Sequence, residues 1–209
     1  MGIWQRTRSW AGGGRTTSRL RHRRYELFLD LCRVRPDEKI LDVGAGGGNA
    51  LERFNTTNPI VAVDLAPKAN GSYLEAPNVT VAVADGTALP YDDGEFPVIF
   101  SNSVIEHVPK ELQPRFAAEV GRVGRRYFVQ TPNRYFPIEP HYQLPLFQFL
   151  PRAAQRWLNR HFTLGWREKG FWEDVQLLSA RDMKRLFPDA EIHRERYFGL
   201  TKSLMAVRR

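Results

Sequence analysis

Carboxylates mark the ends of three short apolar runs in this chain. Asp42 lies within the run at residues 40–43, Asp64 closes the run at 60–64, and Asp85 follows the run at 79–83. The carboxyl ends of parallel strands meet at one edge of an open sheet, where such folds bind their ligands. Because both oxygens of a carboxylate accept hydrogen bonds, three carboxylates at one edge can hold the hydroxyl and amino groups of a nucleotide-like ligand.

Glycines fill the turn that follows the first run. Without a Cβ they let a ligand approach the backbone, so Gly44, Gly46 and Gly48 predict a cofactor at this turn. The dinucleotide fingerprint Gly-x-Gly-x-x-Gly requires glycine where this chain has Asn49. The pattern is instead Asp-x-Gly-x-Gly-x-Gly beginning at Asp42, which disfavours an NAD(P)-binding protein.

The Asp-x-Gly-x-Gly-x-Gly turn resembles the first motif of the class I S-adenosylmethionine-dependent methyltransferases. The later segments are similar to the small-molecule branch of that family, the methyltransferase type 11-like proteins. The resemblance implies S-adenosyl-L-methionine as cofactor, with Asp42 near its ammonium group, Asp64 on the ribose and Asp85 on the adenine amino group. The expected cofactor-binding residues are Asp42, Gly44, Gly46, Gly48, Asp64, Leu65, Asp85, Gly86 and Ser101.

The segment after the fourth apolar run supplies candidate acceptor-site residues. Residues 102–109, NSVIEHVP, resemble the segment that faces the acceptor in small-molecule methyltransferases. They lack the Asn/Asp-Pro-Pro-Tyr pattern of enzymes that methylate the amino groups of nucleic-acid bases. We assign Glu106 to substrate binding and His107 as a candidate base. The alternative is that either side chain makes a structural hydrogen bond at the start of a helix.

An insertion at residues 131–178 is predicted to cover the acceptor. It begins TPNRYFPIEPHYQLPLFQFLP, in which five prolines stand among aromatic and apolar residues. Its position directly after a strand, and the few conformations that prolines allow, favour a lid over the acceptor site. Glu139 and Tyr142 are assigned to substrate binding, and His141 is the first candidate base, with His107 second. The alternative is that these aromatic side chains only cover the core.

The two histidines indicate the chemistry of the acceptor. An acceptor hydroxyl must lose its proton during or after attack on the methyl group, and a base within hydrogen-bond reach assists that loss. We therefore expect a methyltransferase that acts on a small or lipid-like molecule at oxygen, and we assign no metal ligands. One alternative is an RNA or protein methyltransferase whose basic arm binds a polyanion. Another is a non-catalytic protein that only shares the cofactor fold.

Further apolar patterns supply the elements that position these residues. They predict strands at 98–101 and 126–130, helices at 110–120, 146–157 and 180–187, and a closing hairpin of strands at 191–197 and 203–207, joined by the three residues 199–201. The connection at 65–72 is short for a crossover helix. The expected fold is α/β, a Rossmann-like doubly wound sheet of seven strands, mostly parallel with a C-terminal antiparallel hairpin strand. Residues 36–209 form the methyltransferase domain, with 131–178 as the lid.

Positive charge is concentrated in a basic N-terminal arm and helix at residues 1–35. Nine arginines stand there against two acids, whereas the rest of the 209 residues is nearly balanced within a net charge of +8. With tryptophans in the arm, this predicts peripheral contact with anionic membrane through the arm or the lid helix, and nucleic acid is the less favoured partner. The single Cys32 and the absence of a long apolar run favour a cytoplasmic protein.

Overall fold

The computed structural model describes residues 15–46, 57–66, 76–142, 144–162, 172 and 174–209. Short 3-10 turns at Ile105–His107 and Phe147–Phe149 connect some of its regular elements. In chain order the helices and strands are α1 (Arg15–Leu31), β1 (Ile40–Val43), β2 (Ile60–Asp64), β3 (Val79–Val83), β4 (Phe96–Asn102), α2 (Gln113–Val123), β5 (Gly124–Pro132), β6 (Ile138–Glu139), β7 (Leu144–Pro145), α3 (Arg152–His161), α4 (Ala180–Leu186), β8 (Glu191–Tyr197) and β9 (Leu200–Arg208).

Seven strands form one sheet in the order β3-β2-β1-β4-β5-β9-β8. The first five are parallel, and β9 runs antiparallel to both of its neighbours. This confirms the predicted Rossmann-like sheet with its antiparallel hairpin. Because the strand order reverses between β1 and β4, the ligand crevice of such a fold lies outside the carboxyl ends of these strands.

Apolar side chains cover both faces of the sheet. On one face, Phe116 of α2 and Met183 of α4 pack with Phe187 in the larger buried cluster. On the other, Phe28 and Cys32 pack at the end of α1 in a second cluster. The central strands are buried from both sides, which explains why β1 and β2 have apolar residues at consecutive rather than alternate positions.

Helix α1 is anchored in the core by its second half. The ring of Phe28 is fully buried and lies 4.9 Å from that of Phe100 and 5.9 Å from that of Phe128. Burial of one such side chain contributes roughly 1.5–3 kcal/mol. The predicted N-terminal helix therefore packs on the domain, although the boundary drawn at residue 35 stays a prediction. Residues 1–14 of the basic arm lie outside the described residues.

Two predicted helices have different bounds in the structure. The helix expected at 110–120 is α2, which begins at Gln113 because a turn closes first, with the Leu112 amide donating to the Pro109 carbonyl at 2.8 Å. The single lid helix expected at 146–157 is wrong. Leu150 precedes Pro151 and is extended, so the chain forms a 3-10 turn before it and α3 after it.

Two strand ends also differ from the prediction. Strand β4 begins at Phe96, so Pro97 is its second residue, at a point that β1 does not yet cover. The closing hairpin turns over two residues rather than three, because Phe198 and Gly199 both have positive φ and Tyr197 pairs with Leu200. Such a turn matches the twist of the flanking strands. Most of the short connection at 65–72 lies outside the described residues.

Within the part of the chain that the structure describes, no helix has the length and apolar character needed to cross a bilayer.

Candidate cofactor and acceptor site

The glycine turn begins where β1 ends and packs against the segment after β4. Gly44 has φ of +80°, and its amide donates to the Val63 carbonyl of β2 at 2.8 Å. A Cβ at Gly44 would lie 2.3 Å from the side chain of Val104. Both the backbone conformation and this contact therefore require glycine, which lets the turn pack closely against the segment after β4.

Gly46 and Asp64 form the centre of the candidate cofactor site. The Gly46 amide donates to Asp64 Oδ2 at 2.9 Å, and the Ala66 amide donates to Oδ1 at 3.0 Å. Each oxygen keeps a second lone pair for a ribose hydroxyl. A Cβ built on Gly46 would meet no atom of the described residues closer than 4.0 Å, so none of these residues fills the space beside the carboxylate. The third glycine of the motif, Gly48, lies outside the described residues.

Two of the predicted cofactor residues are buried below the sheet edge. Asp42 is only 1% exposed within β1. Ser101 is fully buried, and its hydroxyl donates to the Val43 carbonyl at 3.0 Å, which joins β4 to β1. The Ser101 side chain therefore stabilises the sheet beneath the turn. Cofactor contact by either side chain stays a prediction.

The adenine end of the predicted site has a carboxylate beside exposed apolar side chains. Asp85 is exposed, and its Oδ1 accepts from the amide and the hydroxyl of Thr87, each at 2.8 Å. Leu65 is 54% exposed and Val83 72% exposed, unusual values for apolar residues at a sheet edge. A flat ring that covers them, with an amino group donating to Asp85, fits this arrangement. Gly86 has a packing reason as well, since a Cβ there would lie 2.8 Å from the Phe116 ring.

Glu106 is the most deeply buried member of the predicted acceptor site. It lies in the 3-10 turn after β4 and is 0% exposed. Its Oε2 accepts from the Thr131 hydroxyl at 2.9 Å, but its Oε1 has no hydrogen-bond partner among the described residues. A buried carboxylate oxygen without a donor is costly, and such atoms are concentrated at functional sites.

The lid brings His141 to His107 across the end of the sheet. Their ring centroids are 5.0 Å apart and their planes nearly perpendicular. His141 Nδ1 lies 2.7 Å from Glu139 Oε1, and the Tyr142 amide donates to Glu139 Oε2 at 2.6 Å. Glu139 is 3% exposed, so its carboxylate has a fixed position from which it orients the imidazole of His141. The structure thus places both candidate bases and Glu106 in one cluster, and their roles stay predictions.

Tyr142 occupies a different place from the other predicted acceptor residues. It is 3% exposed, and its ring centroid lies 4.6 Å from that of Phe147 and 6.3 Å from that of Trp172. These rings form a small apolar cluster inside the lid. The side chain of Tyr142 therefore holds the lid together, and contact with an acceptor stays a prediction.

Three polar side chains next to Glu106 were missed at the sequence level. The Ser103 hydroxyl donates to Gln130 Oε1 at 3.0 Å, and Thr131 holds Glu106. Gln130 is fully buried, and its Nε2 has no partner among the described residues. The signal was present, because Gln130 and Thr131 interrupt an apolar strand near its carboxyl end. Ser103 also has a positive φ of 57°, rare for a residue with a side chain.

The family comparison agrees with the cofactor site. Residues 40–126, which span β1 to the start of β5, match the family described as a methyltransferase domain. This stretch of the chain is a methyltransferase domain. The cofactor of this methyltransferase domain is S-adenosylmethionine. The sequence-level recognition is therefore confirmed, and Asp64, Leu65 and Asp85 lie within the matched residues.

Individual relatives of the methyltransferase domain share parts of it. Phosphoethanolamine N-methyltransferase 3 of Arabidopsis thaliana is 34% identical over 39% of this chain and 18% of its own length. The PH0226 protein from Pyrococcus horikoshii has a TM-score of 0.61 at 19% identity, covering 94% of this chain and 91% of that one. Phosphoethanolamine N-methyltransferase 2 of Haemonchus contortus, solved with S-adenosyl-L-methionine, has a TM-score of 0.57 at 14% identity over 83% of this chain and 38% of its own.

The curated relatives are longer than the stretch they share with this chain. The chain spans less than two thirds of the length of each of them. The solved structures are less than 25% identical to it and show the fold alone. The chemical class of the acceptor is therefore inferred from the residues of the site.

Proposed function

We propose that this protein transfers a methyl group from S-adenosylmethionine to a small or lipid-like acceptor, at oxygen. The observation that carries the proposal is the pairing of His141 with the buried Glu139. Both residues belong to the lid, which follows β5 directly and brings His141 beside His107. When bound, S-adenosylmethionine supplies an electrophilic methyl group on a sulfonium. The residues of this chain have to orient the acceptor, exclude water and receive a proton.

The contact with Glu139 prepares His141 to receive that proton. A carboxylate 2.7 Å from Nδ1 favours the tautomer with the proton on Nδ1, which leaves the lone pair on Nε2. As the oxygen of the acceptor bonds to the methyl carbon, the bond from that carbon to sulfur breaks and its electron pair stays on sulfur. The hydroxyl proton passes to His141 Nε2, where the Glu139 carboxylate stabilises the imidazolium.

The apolar surface of the lid supports a small or lipid-like acceptor. Several of its large apolar side chains remain between 46% and 66% exposed, among them Tyr135, Ile138, Leu146, Phe149 and Trp157. Single exposed apolar residues are ordinary, but this many in one short segment beside the acceptor cluster favour an apolar ligand or an acyl-chain surface. A polyanion groove would instead need a continuous basic stripe.

Charge on the lid helix supports peripheral contact with anionic membrane. Helix α3 has no acidic residue, and Arg152, Arg156 and Arg160 are exposed along it. Asp174 pairs with Arg152, and Arg156 lies 5.5 Å from the ring of Trp172. Basic side chains beside exposed aromatic ones are typical of helices that lie at a membrane surface. A lipid-like acceptor would then enter from the bilayer side.

The choice of oxygen rests on the histidines. Two curated relatives are named for a nitrogen acceptor, but each shares only part of its length with this chain. An amine in its neutral form needs no strong base in the transition state, whereas a hydroxyl benefits from one. Burying the carboxylate of Glu139 to orient His141 costs stability, and proton transfer by His141 gives a reason for that cost.

The proposal is tested by identifying the methylated product. The full chain is incubated with S-adenosylmethionine carrying a labelled methyl group and with three acceptor pools, which contain phenolic or hydroxylated lipids, matched amines, and RNA with bulk protein. The expected result is label in a methyl ether formed from the hydroxyl pool, with one S-adenosylhomocysteine formed per methyl transferred. Label only in amines would overturn the oxygen assignment, and label only in RNA or protein would overturn the acceptor class.

A further inference from the structure

The cluster at the acceptor end has the composition of a metal site. Glu106, His107 and His141 each offer one ligand atom, and these atoms all lie within 4.8 Å of one another. We propose that these three side chains bind one divalent transition-metal ion of the Zn²⁺ type. Two of the ligands are neighbours in the turn after β4, and the lid supplies the third, so the site exists only when the lid is in place.

The unpartnered oxygen of Glu106 is the strongest sign of an ion. The side chain is fully buried, and Thr131 donates to one carboxylate oxygen while Oε1 has no donor among the described residues. A buried carboxylate normally has a pairing cation or several donors, because an uncompensated charge is expensive in a protein interior. A metal ion between this oxygen and the two imidazoles would supply that compensation.

Glu139 has the position of an outer-shell carboxylate. Ligating histidines usually direct their second ring nitrogen to a carboxylate, which fixes the ring and raises the basicity of the ligating nitrogen. Glu139 Oε1 lies 2.7 Å from His141 Nδ1, and the Tyr142 amide holds the other oxygen of Glu139. His141 can therefore bind the ion through Nε2 with its ring already oriented.

The ligand types select the class of ion. Two imidazoles and one carboxylate are a known donor set for Zn²⁺ with an open fourth position, whereas Mg²⁺ and Ca²⁺ prefer oxygen ligands. Ligand atoms about 2.0–2.2 Å from one ion lie roughly 3–4 Å apart. The cluster, within 4.8 Å, would thus contract by on the order of an ångström or less on binding.

The bound ion would activate the acceptor in place of proton transfer to His141. A Lewis acid at this point lowers the pKa of a bound hydroxyl, so that the oxygen attacks as an alkoxide or phenolate. His141 Nε2 then serves as a ligand and the proton leaves through solvent or a neighbouring group. Metal binding itself requires neither acceptor nor methyl transfer, so it can be measured whether or not the acceptor proposal is correct.

The test titrates zinc into the protein. The full chain, purified without a polyhistidine tag and stripped with a chelator, is titrated with ZnCl₂ by calorimetry, with MgCl₂ in parallel. We expect one Zn²⁺ per chain and no comparable Mg²⁺ binding. His107→Gln and His141→Gln should abolish the high-affinity site, and Glu139→Gln should weaken it about 10–100-fold. The matched control is His161→Gln, an exposed histidine of the lid helix outside the cluster.

A second readout separates loss of the site from loss of folding. Zinc that binds only the folded chain raises the thermal midpoint of the wild-type protein in proportion to the logarithm of its concentration. The two histidine variants should melt cooperatively but show no such rise, and a variant that does not fold is replaced by Glu106→Gln. The proposal is overturned if stripped, folded wild-type protein binds no Zn²⁺. It is equally overturned if both histidine variants bind zinc as tightly as wild type.

Discussion

The two halves of the carboxyl edge of the sheet are built in different ways. Over β1, β2 and β3 none of the described segments covers the edge, which we call the open half. Its carboxylates accept hydrogen bonds from amides a few residues away or in the neighbouring turn, as Asp64 does from Ala66 and Gly46. Over β4 and β5 the edge is covered by the lid and closed. There Glu106 and Gln130 each keep a buried polar atom without a partner among the described residues.

This difference indicates what each half does. An open half with locally satisfied carboxylates can admit a ligand and still be stable without it. A closed half with unpaired polar atoms carries a cost in stability that a function has to justify. The first half therefore corresponds to cofactor binding, and the second to the acceptor and to the proton or metal chemistry proposed for it.

The largest expected effect is on turnover, from His141→Ala. If His141 receives the acceptor proton, or binds an ion that activates the hydroxyl, its loss should lower kcat by roughly 10²–10⁴. The Kd for S-adenosylmethionine should stay within about twofold, because the cofactor half is separate. Steady-state kinetics and calorimetry measure the two quantities, with His161→Ala as the control. Wild-type kcat in the His141 variant would make it only a lid residue.

The second effect is on cofactor affinity, from Asp64→Ala. Loss of hydrogen bonds to a charged acceptor costs about 1–3 kcal/mol, so the Kd for S-adenosylmethionine should rise roughly 5–150-fold. The exposed Asp92 supplies the control variant, Asp92→Ala, which should bind as wild type. Calorimetry on both variants decides the matter. An unchanged Kd in Asp64→Ala would remove this carboxylate from the cofactor site.

A third effect concerns stability at the opposite, amino-terminal edge. Burial alone would raise the pKa of Glu38, but hydrogen bonds from the Arg126 side chain and the Arg35 amide outweigh it and hold the pKa below its ordinary value. Glu38→Gln should lower the free energy of unfolding by about 1–2 kcal/mol at pH 7. Neither cofactor affinity nor turnover should change in the folded variant.

The pH dependence of that effect has a definite sign. Because the folded pKa of Glu38 is lowered, its stabilising contribution is complete above the unfolded value of about 4.3 and is lost as pH falls through the folded pKa. The stability difference between wild type and Glu38→Gln in denaturant melts should therefore begin to shrink below about pH 4.3 and shrink further as pH falls. The exposed Glu111→Gln is the control. A gap that stays constant down to pH 3 would contradict the assignment.

The last prediction is the absence of an effect on cofactor affinity when residues 1–12 are deleted. Residues 1–12 precede every cofactor motif, so their deletion should leave the Kd for S-adenosylmethionine unchanged. If the arm instead binds a polyanion, deletion of residues 1–24 should abolish retention on heparin at moderate salt. A folded truncation that no longer binds the cofactor would show that the open half extends into the N-terminal arm.

The sequence predicted the open half more completely than the closed half, for a physical reason. In the open half the residues follow strand ends, and an apolar run with a terminal acid places Asp64 without knowledge of the rest of the fold. In the closed half the lid has to fold back before His141 meets His107 and Glu106. The types of these residues were predicted from sequence, but their convergence on one point was not, and no metal site was assigned.

The wrong bounds predicted for the lid helix and the closing hairpin come from the local geometry of the chain. A helical pattern of apolar residues predicted one lid helix, but Pro151 fixed the preceding residue in an extended conformation. The hairpin was predicted with a three-residue link, while positive φ at Phe198 allowed a shorter turn. A phenylalanine in that conformation is uncommon, so residue type gave no signal.

The most direct test of the account is a crystal structure of the full chain with S-adenosylhomocysteine. The ribose hydroxyls should lie within hydrogen-bond distance of Asp64. The adenine should lie against Leu65 and Val83, with its amino group near Asp85. The sulfur should face the cluster of Glu106, His107 and His141, across a space that an acceptor can fill. S-adenosylhomocysteine bound away from Asp64, or a sulfur separated from the two histidines by packed protein, would contradict it.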